Sequence, residues 1–89
     1  MNVHRDFEIL NKLGLHARAA AQLVQLTAGF ESDLTISREG QTVNGKSIMG
    51  LMMLAAACGT SIEVEASGTD AEALVAAIAG LIAARFNED

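Results

Sequence analysis

Apolar positions along the chain recur with two different periods. Val3, Phe7 and Ile9 fall on one side of an extended segment and Asp6 and Glu8 on the other, which predicts a strand over Val3 to Ile9. Asn11 to Leu15 reads as a loop around Gly14. From His16 the pattern turns helical: Ala20, Leu23 and Val24 make a short stripe, and Gly29 stands where a helix C-terminal glycine belongs. Leu34 and Ile36 alternate with Thr35 and Ser37 in a second strand. Glu39-Gly40 signals a turn, and Gln41 to Val43 a third strand that Asn44-Gly45 breaks. Ser47 suits an N-cap, opening a second helix from Ile48 to about Cys58 that Gly59 closes. Ile62, Val64 and Ala66 alternate with Glu63, Glu65 and Ser67, the clearest strand of all. Thr69 and Glu72 have capping-box spacing ahead of a last helix, in which Leu74, Ile78, Leu81, Ile82 and Phe86 share a face. Polar Asn87, Glu88 and Asp89 follow.

The resulting order is β-α-β-β-α-β-α. Each strand has one apolar and one polar side, so the helices should cover one face of a single sheet and leave the other wet. The pattern fits a four-stranded, mainly antiparallel α+β sandwich. A ferredoxin-like arrangement shares the first six elements and remains a rival.

Composition narrows the function classes. With 89 residues the expectation is one domain over residues 1–89, near the lower size limit for a single apolar core. The chain lacks Trp and Tyr, so that core must come from aliphatic residues, Met and three Phe. The longest apolar run, Ile48 to Cys58, falls well short of the roughly 20 residues of a membrane span. Arg5, Asp6 and Glu8 interrupt any leader-like apolar stretch. Eleven acidic against six basic residues give a net charge of −5, which argues against a nucleic-acid binder and for a partner with a basic docking surface. The single Cys58 cannot form an internal disulfide and is expected to be a buried thiol of a cytosolic protein. No His, Cys or carboxylate spacing suggests zinc, so no metal site is expected; His4 reads as a solvated strand residue.

One segment stands apart. "GLHARAAAQL" (14 to 23) places His16 and Arg18 at the mouth of an alanine-rich helix. The first helical turn leaves backbone N–H groups unpaired, and the helix dipole adds partial positive charge there. Arg18 offers a planar, permanently charged fork suited to phosphate oxygens. The same positive end disfavours an imidazolium, which keeps the ring of His16 available as a nucleophile. Together these groups can accept a phosphoryl group and hold the resulting dianion. The plain alternative is a capping histidine and a surface arginine.

Ser47 has the same double reading, as a cap for its own helix or as a residue whose phosphorylation the helix start would favour. If Leu51, Leu54 and Ala55 face the sheet, Ile48, Met49 and Met52 cannot all be buried, and the surplus makes an adaptable docking patch beside Ser47.

At these residues the chain resembles the HPr family, the histidine-containing phosphocarriers of the phosphoenolpyruvate-dependent phosphotransferase system. "NKLGLHARAA" (11 to 20) resembles the family's active-site segment and "NGKSIMGLMML" (44 to 54) its regulatory-serine segment, while "IEVEASGTDAEAL" (62 to 74) and the element order fit as well. The resemblance implies an open-faced β-sandwich with three helices on one face of a four-stranded, mainly antiparallel sheet. It implies a cytoplasmic, monomeric carrier with no cofactor and no catalysis of its own. His16 would accept a phosphoryl group on Nδ1 from phospho-Enzyme I and pass it to IIA domains, with Arg18 steadying the phosphate. Ser47 would be the target of an HPr kinase/phosphorylase, in a form that a transcriptional regulator could read, and Ile48, Met49 and Met52 would dock partners. One position departs: Ala19 stands where the family usually has proline. "NKLGLHAR" also resembles the nitrogen-related branch, whereas "GKSIMG" points to the kinase-regulated type.

Overall fold

Alternation decides which side of each strand is dry. The computed structural model describes residues 1–88; Asp89, the end of the polar tail, lies outside them. The strands are β1 (Asn2–Glu8), β2 (Asp33–Arg38), β3 (Gln41–Asn44) and β4 (Ser61–Ser67), and the helices are α1 (Ala17–Thr27), α2 (Ile48–Met53) and α3 (Ala71–Ala83), with a 3-10 turn at Arg85–Asn87. Along β4, Ile62, Val64 and Ala66 are buried while Glu63 and Glu65 are exposed. Leu34 and Ile36 of β2 repeat this, against exposed Asp33 and Thr35.

The sheet order is β1-β4-β2-β3, with every pair antiparallel. A ferredoxin-like split βαβ would set β3 between β1 and β2 and place β1 inside the sheet, whereas here β1 is an edge strand and β4 lies between it and β2, so that alternative falls. The dry face packs on α1 through Ala20 and Leu23, on α2 through Leu51 and Leu54, and on α3 through Leu74, Val75 and Ile78. This is the open-faced α+β sandwich expected from the sequence.

Four local expectations need correction. The second helix ends at Met53, because Ala55 takes a left-handed conformation (φ 51°) just beyond the C-cap Leu54. That is the usual helix stop, made here by an alanine where glycine normally stands. Ala55 is therefore exposed, and Cys58 sits in a surface turn with its sulfur 3.7 Å from the Leu10 carbonyl, not in the core. The last helix ends at Ala83, and left-handed Arg85, Phe86 and Asn87 swing Phe86 back into the core from outside the helix. Finally, the capping box at Thr69 and Glu72 does not form. The N-cap is Asp70, whose carboxylate instead accepts the backbone N–H groups of Glu31 and Ser32, both at 2.9 Å, and the Ser32 hydroxyl. Tertiary bonding to the β2 entrance wins over local capping.

Candidate functional site

The loop from Leu10 to Leu15 delivers His16 to the start of α1. Its shape is enforced from below. Asn11 is fully buried, donates to the Gly14 carbonyl at 2.7 Å, and its own carbonyl accepts the Gly14 N–H at 3.1 Å. Gly14 is left-handed (φ 69°), and Leu15 N–H donates to the Ala56 carbonyl at 2.8 Å, tying the loop to the chain after α2.

His16 occupies the N-cap position with extended backbone (φ −81°, ψ −179°), and its carbonyl accepts the first helical bond from Ala20 at 2.8 Å. Its side chain makes no cap bond, and the first turn holds no acidic residue. The imidazole is thus not spent on capping, and the orphan N–H groups at this end have no acidic side chain of their own turn to satisfy them. Arg18 is exposed and shares a shallow pocket with His16, Leu13, Gln22, Asn87 and Glu88. Among the described residues Arg18 makes no salt bridge.

Glu88 comes to this site from the far end of the chain. Its carboxylate accepts the Leu13 N–H and the Asn11 amide, both at 3.0 Å, and lies 3.4 Å from His16 Nε2. The Asn11 bond foremost, helped by the Leu13 N–H and by His16, holds the carboxyl below the usual glutamate range against an opposing push from desolvation. The sequence showed Glu88 only as part of a polar tail; nothing local announced its partners.

Ser47 is the N-cap of α2, and its hydroxyl accepts the Gly50 N–H at 3.1 Å. Ile48, Met49 and Met52 are exposed, Met49 by 76%, and two further apolar side chains that the sequence did not single out, Leu13 and Met53, are exposed with them. Leu13, His16 and Met52 line one depression, which joins the start of α1 to the apolar side of α2.

On the open sheet face, His4, Asp6 and Glu63 are exposed and bring one potential ligand atom each within 4.8 Å of one another. Strand register creates this group, since Asp6 pairs with Glu63 across β1 and β4, so spacing along the sequence could not reveal it. It stands on the wet face of the sheet, away from the helices.

The chain matches the family model described as PTS HPr component phosphorylation site over residues 3–84. It belongs to the HPr family. A phosphocarrier protein HPr from Cupriavidus necator is 50% identical over 86 residues, spanning 97% of each chain. Phosphocarrier protein NPr of Escherichia coli strain K12 is 41% identical and covers both chains completely. An HPr crystal structure from Thermoanaerobacter tengcongensis superposes with a TM-score of 0.93 at 39% identity over 98% of each chain. HPr proteins are phosphocarriers of the phosphotransferase system, so this chain is a group carrier and not a catalytic enzyme. Among its described residues no helix is long and apolar enough to cross a membrane.

Proposed function

We propose that the protein is a cytoplasmic relay that accepts a phosphoryl group on His16 from phospho-Enzyme I and passes it to a IIA domain. The observation carrying this reading is the start of α1, where an imidazole that makes no capping bond shares a pocket with Arg18, which makes no salt bridge among the described residues. In the transfer, the Nδ1 lone pair of His16 attacks phosphorus, and the donor P–N bond breaks with its electrons remaining on the donor nitrogen. The helix N–H groups and Arg18 then hold the dianion. Ile48, Met49 and Met52 dock the partners beside His16. One copy suffices, since acceptor, cation and apolar patch all belong to the same chain.

Ser47 serves as the regulatory site of an HPr kinase/phosphorylase. A phosphate there places charge against the apolar patch and damps docking, and it gives a transcriptional regulator a feature to read. The test of the relay is incubation with phosphoenolpyruvate and Enzyme I. An acid-labile, base-stable phosphate should form and should be absent from His16→Ala. No phosphate, or phosphate retained by the alanine variant, would end this reading.

A second reading rests on the full-length match to NPr. In it the same chemistry feeds a regulatory, nitrogen-type IIA protein. Offering the phosphorylated carrier to a sugar-type and a nitrogen-type IIA protein in parallel separates the two by which one drains the label.

A further inference from the structure

Glu88 lies beyond the last helix, yet its carboxylate makes three contacts at the His16 loop. It grips Leu13 N–H and the buried Asn11 amide at 3.0 Å each and faces Nε2 of His16 at 3.4 Å. The side chain is 16% exposed, against 31% for His16, so the pair is partly shielded from water. Among the described residues no salt bridge joins Glu88 to Arg18, which leaves the guanidinium uncommitted.

An ionised carboxylate has lone pairs and no proton to give. A ring nitrogen that faces it is stabilised when it carries hydrogen. The other nitrogen of a neutral imidazole must then hold the free lone pair. We propose that Glu88 is the positioning residue of His16, holding the proton on Nε2 so that Nδ1 is the nitrogen that takes the phosphoryl group. This deepens the relay reading and rests on it.

The contact also favours the transferred state over the resting one. At 3.4 Å it is longer than the roughly 2.7–3.2 Å of a good N–H···O bond. When Nδ1 attacks phosphorus the ring keeps its Nε2 proton and becomes cationic, and a bond between two charged groups shortens and strengthens. The grip on Leu13 and Asn11 fixes the carboxylate in place, so this gain needs no rearrangement of the loop.

Glu88→Gln tests the idea, because the side chain keeps its size and its one amide oxygen can still accept from Leu13 or from Asn11, which donate to different carboxylate oxygens, while the negative charge is lost. The first readout is the long-range ¹H–¹⁵N spectrum of His16 in the unphosphorylated full chain, which reports which ring nitrogen bears hydrogen. The second is the rate of phosphorylation by phosphoramidate, a small donor that loses ammonia as its P–N bond breaks and needs no docking surface. The parent should show Nε2–H with unprotonated Nδ1. Glu88→Gln should shift protonation toward Nδ1 and slow phosphorylation by about tenfold, the effect of one charge-assisted hydrogen bond. An unchanged ring spectrum, or a rate within about twofold of the parent, overturns the proposal. If the variant fails to fold, the parent spectrum decides, since hydrogen on Nδ1 overturns it directly. A parent that takes no phosphate refutes the relay, while the ring spectrum still judges Glu88.

Discussion

Gly14 and the Ala56 carbonyl are so close that a Cβ on Gly14 would lie 2.5 Å from that oxygen. The neighbour is backbone and cannot swing aside, and Gly14 is left-handed as well (φ 69°). Gly14→Ala should therefore destabilise the protein by about 1–3 kcal/mol, combining overpacking with a disfavoured conformation. Urea unfolding measures the loss. Because Leu15 hangs on the same carbonyl, the variant should also accept phosphate on His16 more slowly. A stability change below about 0.5 kcal/mol would mean the loop shifts freely and does not place His16.

Ser47 has a structural task as the cap of α2, and the regulation proposed above would fall on the same side chain. Losing the bond to Gly50 N–H in Ser47→Ala should cost about 1 kcal/mol of stability, read from the denaturation midpoint. The same variant should take no acid-stable phosphate from an HPr kinase and ATP. Phosphate incorporated into Ser47→Ala would assign the modification elsewhere.

Met49 makes the opposite case, since at 76% exposure it has little packing to lose. Met49→Asp should change stability by less than about 0.5 kcal/mol while weakening Enzyme I binding, measured by calorimetry. A large fall in melting temperature would place Met49 in a structural role.

Asp70 gives a pH dependence of known sign. The Ser32 hydroxyl, then the Glu31 and Ser32 N–H groups, hold its carboxyl below the ordinary aspartate range. The folded protein thus prefers the charged form, and the benefit is complete above the unfolded-state value of about 3.9. It is lost as pH falls through the lower, folded value. Asp70→Asn should be less stable than the parent at pH 7, and the gap should narrow at about pH 3 and below. A gap that stays constant between those conditions would rule out the charge as its source.

Ala19 can be tested by restoring the proline usual in the family. Its N–H precedes the first helical donor, Ala20, so Ala19→Pro breaks no helical bond. The change should move stability by no more than about 1 kcal/mol in thermal unfolding. A larger drop would mean that the ring does not fit at this fully buried position.

The parts of this protein legible in sequence are those governed by period. Glu63 and Glu65 flanking Ile62 and Val64 announced both a strand and its two faces, and Leu74 with Ile78 announced a helix. What escaped was set by distant or unmarked causes. Ala55 stops α2 in a conformation that glycine would have advertised, so the run to Cys58 read as helix. Asp70 gives up its own helix to bond a segment about 38 residues away, and local spacing favoured Thr69 instead. His16 and Arg18 were legible as a candidate anion site because a helix start supplies that argument on its own. Glu88 was not, because its meaning lies entirely in Asn11, Leu13 and His16.

The alanine at 19 has a thermodynamic side. Proline there would contribute no N–H, whereas alanine adds one more donor to the first turn, beside any dianion on His16. A carrier stores what it transfers, so each donor that steadies the stored group also deepens the well from which it must be handed on. On the relay proposed above, swapping proline for alanine would trade a stiffer helix start for a firmer hold on the cargo. In a chain of carriers, that sets how readily the group moves downstream.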